Sequence, residues 1–343
     1  MRRSRADSAQ RSDRDESISL RRTLAAVKFF HADDVRFHDV AESAETAQPG
    51  DLVVYRIGKS DPSELIAQAL ARGAAGILTE QLLPCPLPQC IVGDVELAMA
   101  DITARMLNHP DRRMLTIGVI GSAGKTTTSL LISSLLRGSG ARTAYQTDLG
   151  ECDGIVQSVA HDSVPAGASL VQWLGDAIDS QCQAAVVELS DNDARHGLYD
   201  AVEFDILVVT GTGNVSCDFG PSGLQCLLER LKPTGVVVSS ADDAKALRVI
   251  RDSDHRVVTY GLKARADLTA KIIDQSGGMT TLMITQGDTS AIMETALCGA
   301  AMASNHAAAA VVGMLIDQPM NHVAEVLSQL RSIPGRVQRM ADV

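Results

Sequence analysis

The sequence is poor in aromatic residues, which fill 3% of its 343 positions, with Trp173 the only tryptophan. At 45% hydrophobic and 21% charged it is otherwise the composition of an ordinary soluble enzyme. No run approaches the ~18–20 consecutive apolar residues that a bilayer span needs, so no membrane span is expected. The seven cysteines (85, 90, 152, 182, 217, 226 and 298) are odd in number and scattered, and no Cys-x-x-Cys pair occurs. Neither a disulfide framework nor a zinc site is therefore indicated, and a reducing compartment fits best. Basic residues form no stripe beyond the first few positions, and the net charge of −11 argues against a general nucleic-acid binder. The opening MRRSRADSAQRSDRDES mixes Arg with Asp and Glu and leads into no apolar stretch, so it is neither a signal nor a transit peptide. A disordered tail over residues 1–20 and a cytoplasmic protein are expected.

What is present is a two-domain pattern, for which the length suffices. Over residues 24–113 short apolar runs alternate with Ala-rich helical stretches. Strands are expected at 51–55, 76–79 and 89–92 and a helix at 64–71, with Pro84, Pro86 and Pro88 punctuating the loop between the last two strands. His109-Pro110-Asp111 makes a break. Residues 114–120 then form a near-continuous apolar run, the mark of a parallel strand buried on both faces. Further runs at 184–188, 205–209, 235–238 and 256–259, separated mostly by helical segments, predict a doubly wound, mostly parallel sheet. An edge or hairpin strand is expected at 279–284 and helices at about 305–316 and 321–331. The fold class is therefore α/β, with a small domain over 21–112 and a larger one over 113–343.

The chemistry lies at Gly121-Ser-Ala-Gly-Lys-Thr-Thr127. A buried strand, a tight glycine turn and a helix opening with Lys-Thr-Thr form the arrangement that cradles polyphosphate. Gly121 and Gly124 let the backbone around Ser122 and Ala123 turn its N–H groups toward one anion, and the helix N-terminus adds partial positive charge. Lys125 would reach the β and γ phosphates of ATP, and Thr126 or Thr127 would offer a hydroxyl to Mg2+. A Gly-Lys-Thr triplet can arise by chance, and the strand–turn–helix context is what gives it weight. Only two residues separate the glycines, where the usual form has four.

That short form resembles the Mur ligases, which commonly carry Gly-Thr-Asn-Gly-Lys-Thr-Thr there. Other segments fall in the same order: Pro49-Gly-Asp-Leu52, Ala71-Arg-Gly-Ala-Ala-Gly-Ile-Leu78, Val187-Glu-Leu-Ser190, Gly197, Val202-Glu-Phe-Asp205, Val209-Thr210, Leu231-Lys-Pro-Thr-Gly-Val236, Ala241-Asp-Asp243, Asn305 and Ile333-Pro-Gly-Arg336. The branch most similar is the muramyl-tripeptide synthetases, which add the third amino acid to UDP-MurNAc-L-Ala-D-Glu. The resemblance implies an N-terminal UDP-substrate-type domain and a central ATP-binding domain. It implies ATP-dependent activation of a carboxylate as an acyl phosphate, which an amine then attacks. It also implies that Lys125 and Glu188 are catalytic, that Thr126 and Glu188 hold Mg2+, and that residues 121–127 and Asn305 bind ATP.

Several positions depart from the family pattern. Ser43-Ala-Glu45 and Asp61-Pro-Ser-Glu-Leu65 stand where the uridine-binding Asp-Ser-Arg and Asp-Gly-His-Asp-Phe are usual. Ser216 stands for the magnesium-binding His, although Asp218 survives, and Met302 for the first Asn of Asn-x-x-Asn. The segment 224–231 contains no Lys to be carbamylated, and Lys232 reads as a solvated turn residue. The sequence ends at Val343, just after the Pro-Gly-Arg where the family's third domain begins, so a separately encoded C-terminal domain is a candidate partner. Two functions follow: an ATP-dependent ligase acting on a UDP-MurNAc-peptide, or a catalytically impaired nucleotide-binding relic serving as an interaction or regulatory module. A kinase or GTPase reading is disfavoured by the absence of an Asn-Lys-x-Asp motif. His196, His306 and His322 have no metal-site spacing, and the cysteines read as small core residues.

Overall fold

The computed structural model describes residues 17–159, 165–211 and 222–330. The chain divides into two compact units, Met1–Asn108 and His109–Val343. Residues 1–16 lie outside the described part, but Ile18–Ser19 (β1) already forms a strand and Leu20–Thr23 (α1) a helical turn. Residues 18–20, expected to be part of a disordered tail, thus belong to folded elements, because Leu20 is fully buried and anchors the chain there.

In the first unit β1 pairs antiparallel with Arg36–Phe37 (β3). Lys28–Phe30 (β2), Val40–Ala41 (β4), Leu52–Val54 (β5), Gly76–Thr79 (β6) and Gln89–Ile91 (β7) form a five-stranded sheet in the order β2-β7-β6-β5-β4, with only β2 antiparallel. The helix Pro62–Arg72 (α2) shows why such a segment folds locally. Asp61 caps it by accepting the N–H groups of Ser63 and Glu64, Pro62 opens it, and Gly73 ends it in the left-handed conformation. Val95–Met106 (α3) follows, capped by Asp94, with six buried apolar residues.

The second unit carries an eleven-stranded sheet. Its strands are Leu115–Ile120 (β8), Thr143–Thr147 (β9), Gly150–Cys152 (β10), Gln157–Val159 (β11), Ala184–Glu188 (β12), Phe204–Val209 (β13), Leu231–Ser240 (β14), Arg256–Gly261 (β15), Leu268–Ser276 (β16), Met279–Gln286 (β17) and Thr289–Thr295 (β18). The spatial order is β11-β10-β9-β12-β8-β13-β14-β15-β16-β17-β18. Pairing is parallel from β9 across to β16 and antiparallel at both ends. Helices Lys125–Gly138 (α4), Ala168–Asp179 (α5), Asp191–Arg195 (α6), Gly223–Leu228 (α7), Ala244–Arg251 (α8), Ala300–Leu315 (α9) and Met320–Ser328 (α10) accompany it. This is a mixed α/β fold built on a parallel sheet. β17 is not an edge strand as one reading of 279–284 had it: β16 and β18 flank it, so it is the middle of a meander.

Helices α4, α9 and α10 share one hydrophobic core with the sheet, including Leu131, Leu135, Ala307, Val311 and Val323. The chain leaves β8 for β9, two places away, returns to β12 and then crosses β8 to reach β13. β8 thus lies at the point where the winding direction changes, and its carboxyl end is where such sheets bind ligands. Lys232 is not a solvated turn residue: it lies within β14, and its ammonium meets Asp205 Oδ2 at 2.9 Å and Asp111 O at 3.0 Å. Asp205 Oδ2 also accepts the Thr116 N–H, so Lys232 neutralises a carboxylate already fixed in the sheet. Among the described residues no helix is long and apolar enough to cross a membrane.

Candidate functional site

β8 delivers Gly121 to the carboxyl edge of the sheet between β12 and β13. The loop that follows is clasped by the end of β13. Ser122 N–H donates to Gly211 O at 2.9 Å, and Thr210 Oγ1 donates to Ala123 O at 2.7 Å. The clasp is tight enough that a Cβ on Gly121 would collide with Thr210 Oγ1 and lie 2.9 Å from Gly211 O. On the other side, Gly124 adopts φ +84°, and a Cβ there would come 2.5 Å from Asn305 Oδ1 on α9. Glycine is thus required twice, by close approach at Gly121 and by backbone conformation at Gly124. α4 then starts at Lys125 with no side-chain cap and no acidic residue in its first turn. Its leading N–H groups and its positive dipole end remain available to an anion.

Glu188 ends β12, in register with Val119 of β8. It is 1% exposed and buried among polar partners. Thr126 Oγ1 donates to its Oε1 at 3.2 Å, Lys125 Nζ lies 3.6 Å from the same oxygen, and Asp148 N–H donates to its Oε2 at 3.1 Å. Burial pushes the Glu188 carboxyl above its ordinary range, and the nearby Asp148 charge pushes the same way; the Asp148 N–H, the Thr126 hydroxyl and Lys125 act against both. The Lys125 side chain keeps 22% exposure, so its ammonium can leave the carboxylate for a ligand. Thr127 Oγ1 is buried without a partner among the described residues. A carboxylate and a hydroxyl form a hard oxygen set of the kind Mg2+ takes when nucleotide phosphates complete its shell. No group of three or more His, Cys, Asp and Glu that could hold a metal occurs among the described residues, so these offer no all-protein metal cage. The glycine cradle, Lys125, Thr126 and Glu188 therefore fit a magnesium–nucleotide pair.

Residues 119–313, more than half of the chain, match the Mur ligase middle domain. The chain belongs to the Mur ligase family. It is 28% identical over 341 residues to UDP-N-acetylmuramoyl-L-alanyl-D-glutamate--2,6-diaminopimelate ligase of Pseudomonas putida, covering 91% of this chain and 67% of that protein. The enzyme of the same name from Halalkalibacterium halodurans is 23% identical over 329 residues, covering 93% and 68%. Across eight relatives of that name the chain spans 58 to 68% of their length. A solved structure of a ligase of that name shares the fold with a TM-score of 0.76 at 21% identity, covering 96% of this chain and 70% of that one. MurF ligase from Thermotoga maritima in complex with ADP does so with a TM-score of 0.58 at 19% identity, covering 87% and 66%.

In this member of the Mur ligase family the structure brings Gly121, Ser122, Ala123, Gly124, Lys125, Thr126, Thr127, Glu188 and Asn305 to one place. His196 is exposed and bonded to Asn192 O, while His306 is buried beside Asn305 with its Nδ1 2.7 Å from Met302 O. Residues 214–219 and 333–336 lie outside the described part. Sequence reasoning missed Thr210 and Gly211 as the clasp of the loop. It also missed Asp148, the hairpin residue beside Glu188. Thr210 had a signal in the Val-Thr that ends β13; Asp148 had none, since its proximity comes from the sheet order alone.

The first unit holds a cavity of about 260 Å3. Ser43, Glu45, Asp61, Glu64 and Leu65, from segments 43–45 and 61–65, line it together with Glu42, Arg56 and Lys59. Four carboxylates thus face two cations. Arg56 is already tied to Glu96 at 2.6 Å, and that bond holds its guanidinium above its ordinary pKa.

Proposed function

We propose that this protein is an ATP-dependent amide-forming ligase of peptidoglycan precursor synthesis. The proposed reaction adds the third amino acid to UDP-MurNAc-L-Ala-D-Glu through an acyl phosphate. The observation that carries this reading is the convergence of Lys125 and Thr126 on one oxygen of Glu188 at the foot of the glycine cradle. Magnesium ATP, when bound, supplies the phosphoryl group and the charge neutralisation for carboxylate activation. The chain's own residues bind and orient. The N–H groups of residues 121–127 cradle phosphate, Lys125 turns from Glu188 to the transferring group, Thr126 and Glu188 hold Mg2+, and Asn305 braces the loop at Gly124. In this reading residues 21–112 form the UDP-substrate-type domain and 113–343 the ATP-binding domain of a cytoplasmic enzyme. A separately encoded C-terminal domain is a proposed partner.

A second reading has its own support. The cavity of the first unit, with Glu42, Glu45, Asp61 and Glu64 in its wall, is electrostatically poor for a diphosphate. This favours a nucleotide-binding Mur ligase relic that acts as an interaction or regulatory module. Phosphate release separates the two readings. With ATP, Mg2+, UDP-MurNAc-L-Ala-D-Glu and diaminopimelate or lysine, turnover that Lys125→Ala abolishes supports the ligase. ATP binding without phosphate release supports the relic.

A further inference from the structure

The turn between β9 and β10 closes in two residues, Asp148 and Leu149, because Thr147 pairs directly with Gly150. Its tip lies at the carboxyl end of the sheet beside Glu188, since β9 runs parallel to β12 with Gln146 next to Val187. Glu188 therefore spends Oε1 on Thr126 and Lys125 and Oε2 on the Asp148 backbone. The Asp148 side chain is exposed, and no hydrogen bond or ion pair to another described side chain engages its carboxylate. A buried carboxylate and an exposed one are thus borne by residues in direct contact at the site that Thr126 and Lys125 mark. Like charges so placed repel until a cation neutralises them. Mg2+ bound with a nucleotide ordinarily takes one or two carboxylates besides the phosphate oxygens.

We propose that the Asp148 carboxylate joins Thr126 and Glu188 in the coordination shell of the divalent cation that accompanies the nucleotide. The inference rests on the magnesium–nucleotide reading of this site and adds a residue to it. The N–H that bonds Glu188 belongs to the backbone, so Asp148→Asn and Asp148→Glu both retain it. A purely structural turn would leave cation affinity unchanged in either variant.

The test is the affinity of the full chain for Mn2+, read by electron paramagnetic resonance at saturating ATP, with ATP affinity in EDTA measured alongside. Asp148→Asn is expected to weaken Mn2+ binding about tenfold while changing metal-free ATP affinity less than about twofold, and Asp148→Glu to recover most of the loss. Unchanged Mn2+ affinity in Asp148→Asn overturns the inference and leaves the proposed function standing. Wild-type protein that takes up no Mn2+ with ATP overturns both. If Asp148→Asn fails to fold, Asp148→Ser takes its place, with the same two outcomes.

Discussion

Replacing Glu188 by Gln keeps the shape of the site and removes one charge. The amide oxygen can accept the Asp148 N–H, and the amide nitrogen can donate to Thr126 Oγ1, whose hydroxyl reverses from donor to acceptor. Lys125, 22% exposed, turns to solvent. What is lost is an attraction at 3.6 Å, gross about 4–5 kcal/mol at an effective dielectric constant of roughly 20. What is gained is relief from burying a carboxylate, several kcal/mol by itself. Because the Glu188 pKa is raised, burial and the Asp148 charge outweigh the bonds and Lys125. The nucleotide-free variant is therefore expected to be within about 1 kcal/mol of the wild type or more stable. A structural ion pair that lost one partner would instead cost about 3–5 kcal/mol. A carboxyl raised above its unfolded value contributes stability that is present below the unfolded pKa, 4.5, and is lost as pH rises through the folded value. The neutral amide of Glu188→Gln has no such loss, so urea denaturation at stepped pH should show the variant gaining on the wild type from 4.5 upward. The same variant should bind magnesium ATP about 10–100-fold more weakly. A stability loss of about 3 kcal/mol or more, with unchanged magnesium ATP affinity, would refute the functional assignment of Glu188.

Gly124→Ala forces a Cβ into a left-handed residue 2.5 Å from Asn305 Oδ1, so it should displace Asn305 and weaken ATP binding measured by calorimetry about tenfold or more. Thr210→Val removes the hydroxyl that holds Ala123 O at 2.7 Å; weaker ATP binding with a melting shift of only a few degrees is expected, and unchanged affinity would show the clasp to be dispensable. Asp242 accepts the N–H groups of Leu262, Lys263 and Ala264, and those bonds, against burial, hold its carboxyl below the ordinary range. Asp242→Ala should cost about 1 kcal/mol after solvent screening. Its contribution is present above the unfolded pKa, 3.8, and is lost as pH falls through the folded value, so wild type and variant should converge on acidification in a denaturation series.

The elements that carry the site were legible where the sequence pattern matches their environment. β8 and β12 are buried on both faces and read as apolar runs, and α4 starts where Gly-Lys-Thr-Thr places it. The extension through β9, β10 and β11 was not legible. β9 is fully buried, yet its sequence Thr-Ala-Tyr-Gln-Thr includes Gln146 and Thr147, whose side chains bond Glu151 and Gly150 O rather than water. Lys232 misled for a related reason: Leu-Lys-Pro reads as a turn, and only the tertiary placement of Asp205 and Asp111 gives its ammonium partners. The loop residues 121–127 could be named from their spacing, whereas the partners that hold them, Thr210, Gly211 and Asn305, come from distant strands and helices. Of these only Asn305 was assigned to the site from sequence, and it came by family resemblance, not by periodicity.

The central claim is that Gly121–Thr127 with Glu188 binds ATP, and calorimetric titration of the full chain with ATP and Mg2+ tests it most directly. Saturable binding by the wild type is expected, with a loss of about tenfold or more in Lys125→Ala, because Lys125 is the cation that the first turn of the loop helix presents to the phosphates. Equal affinity in the two proteins, or none in the wild type, would contradict it.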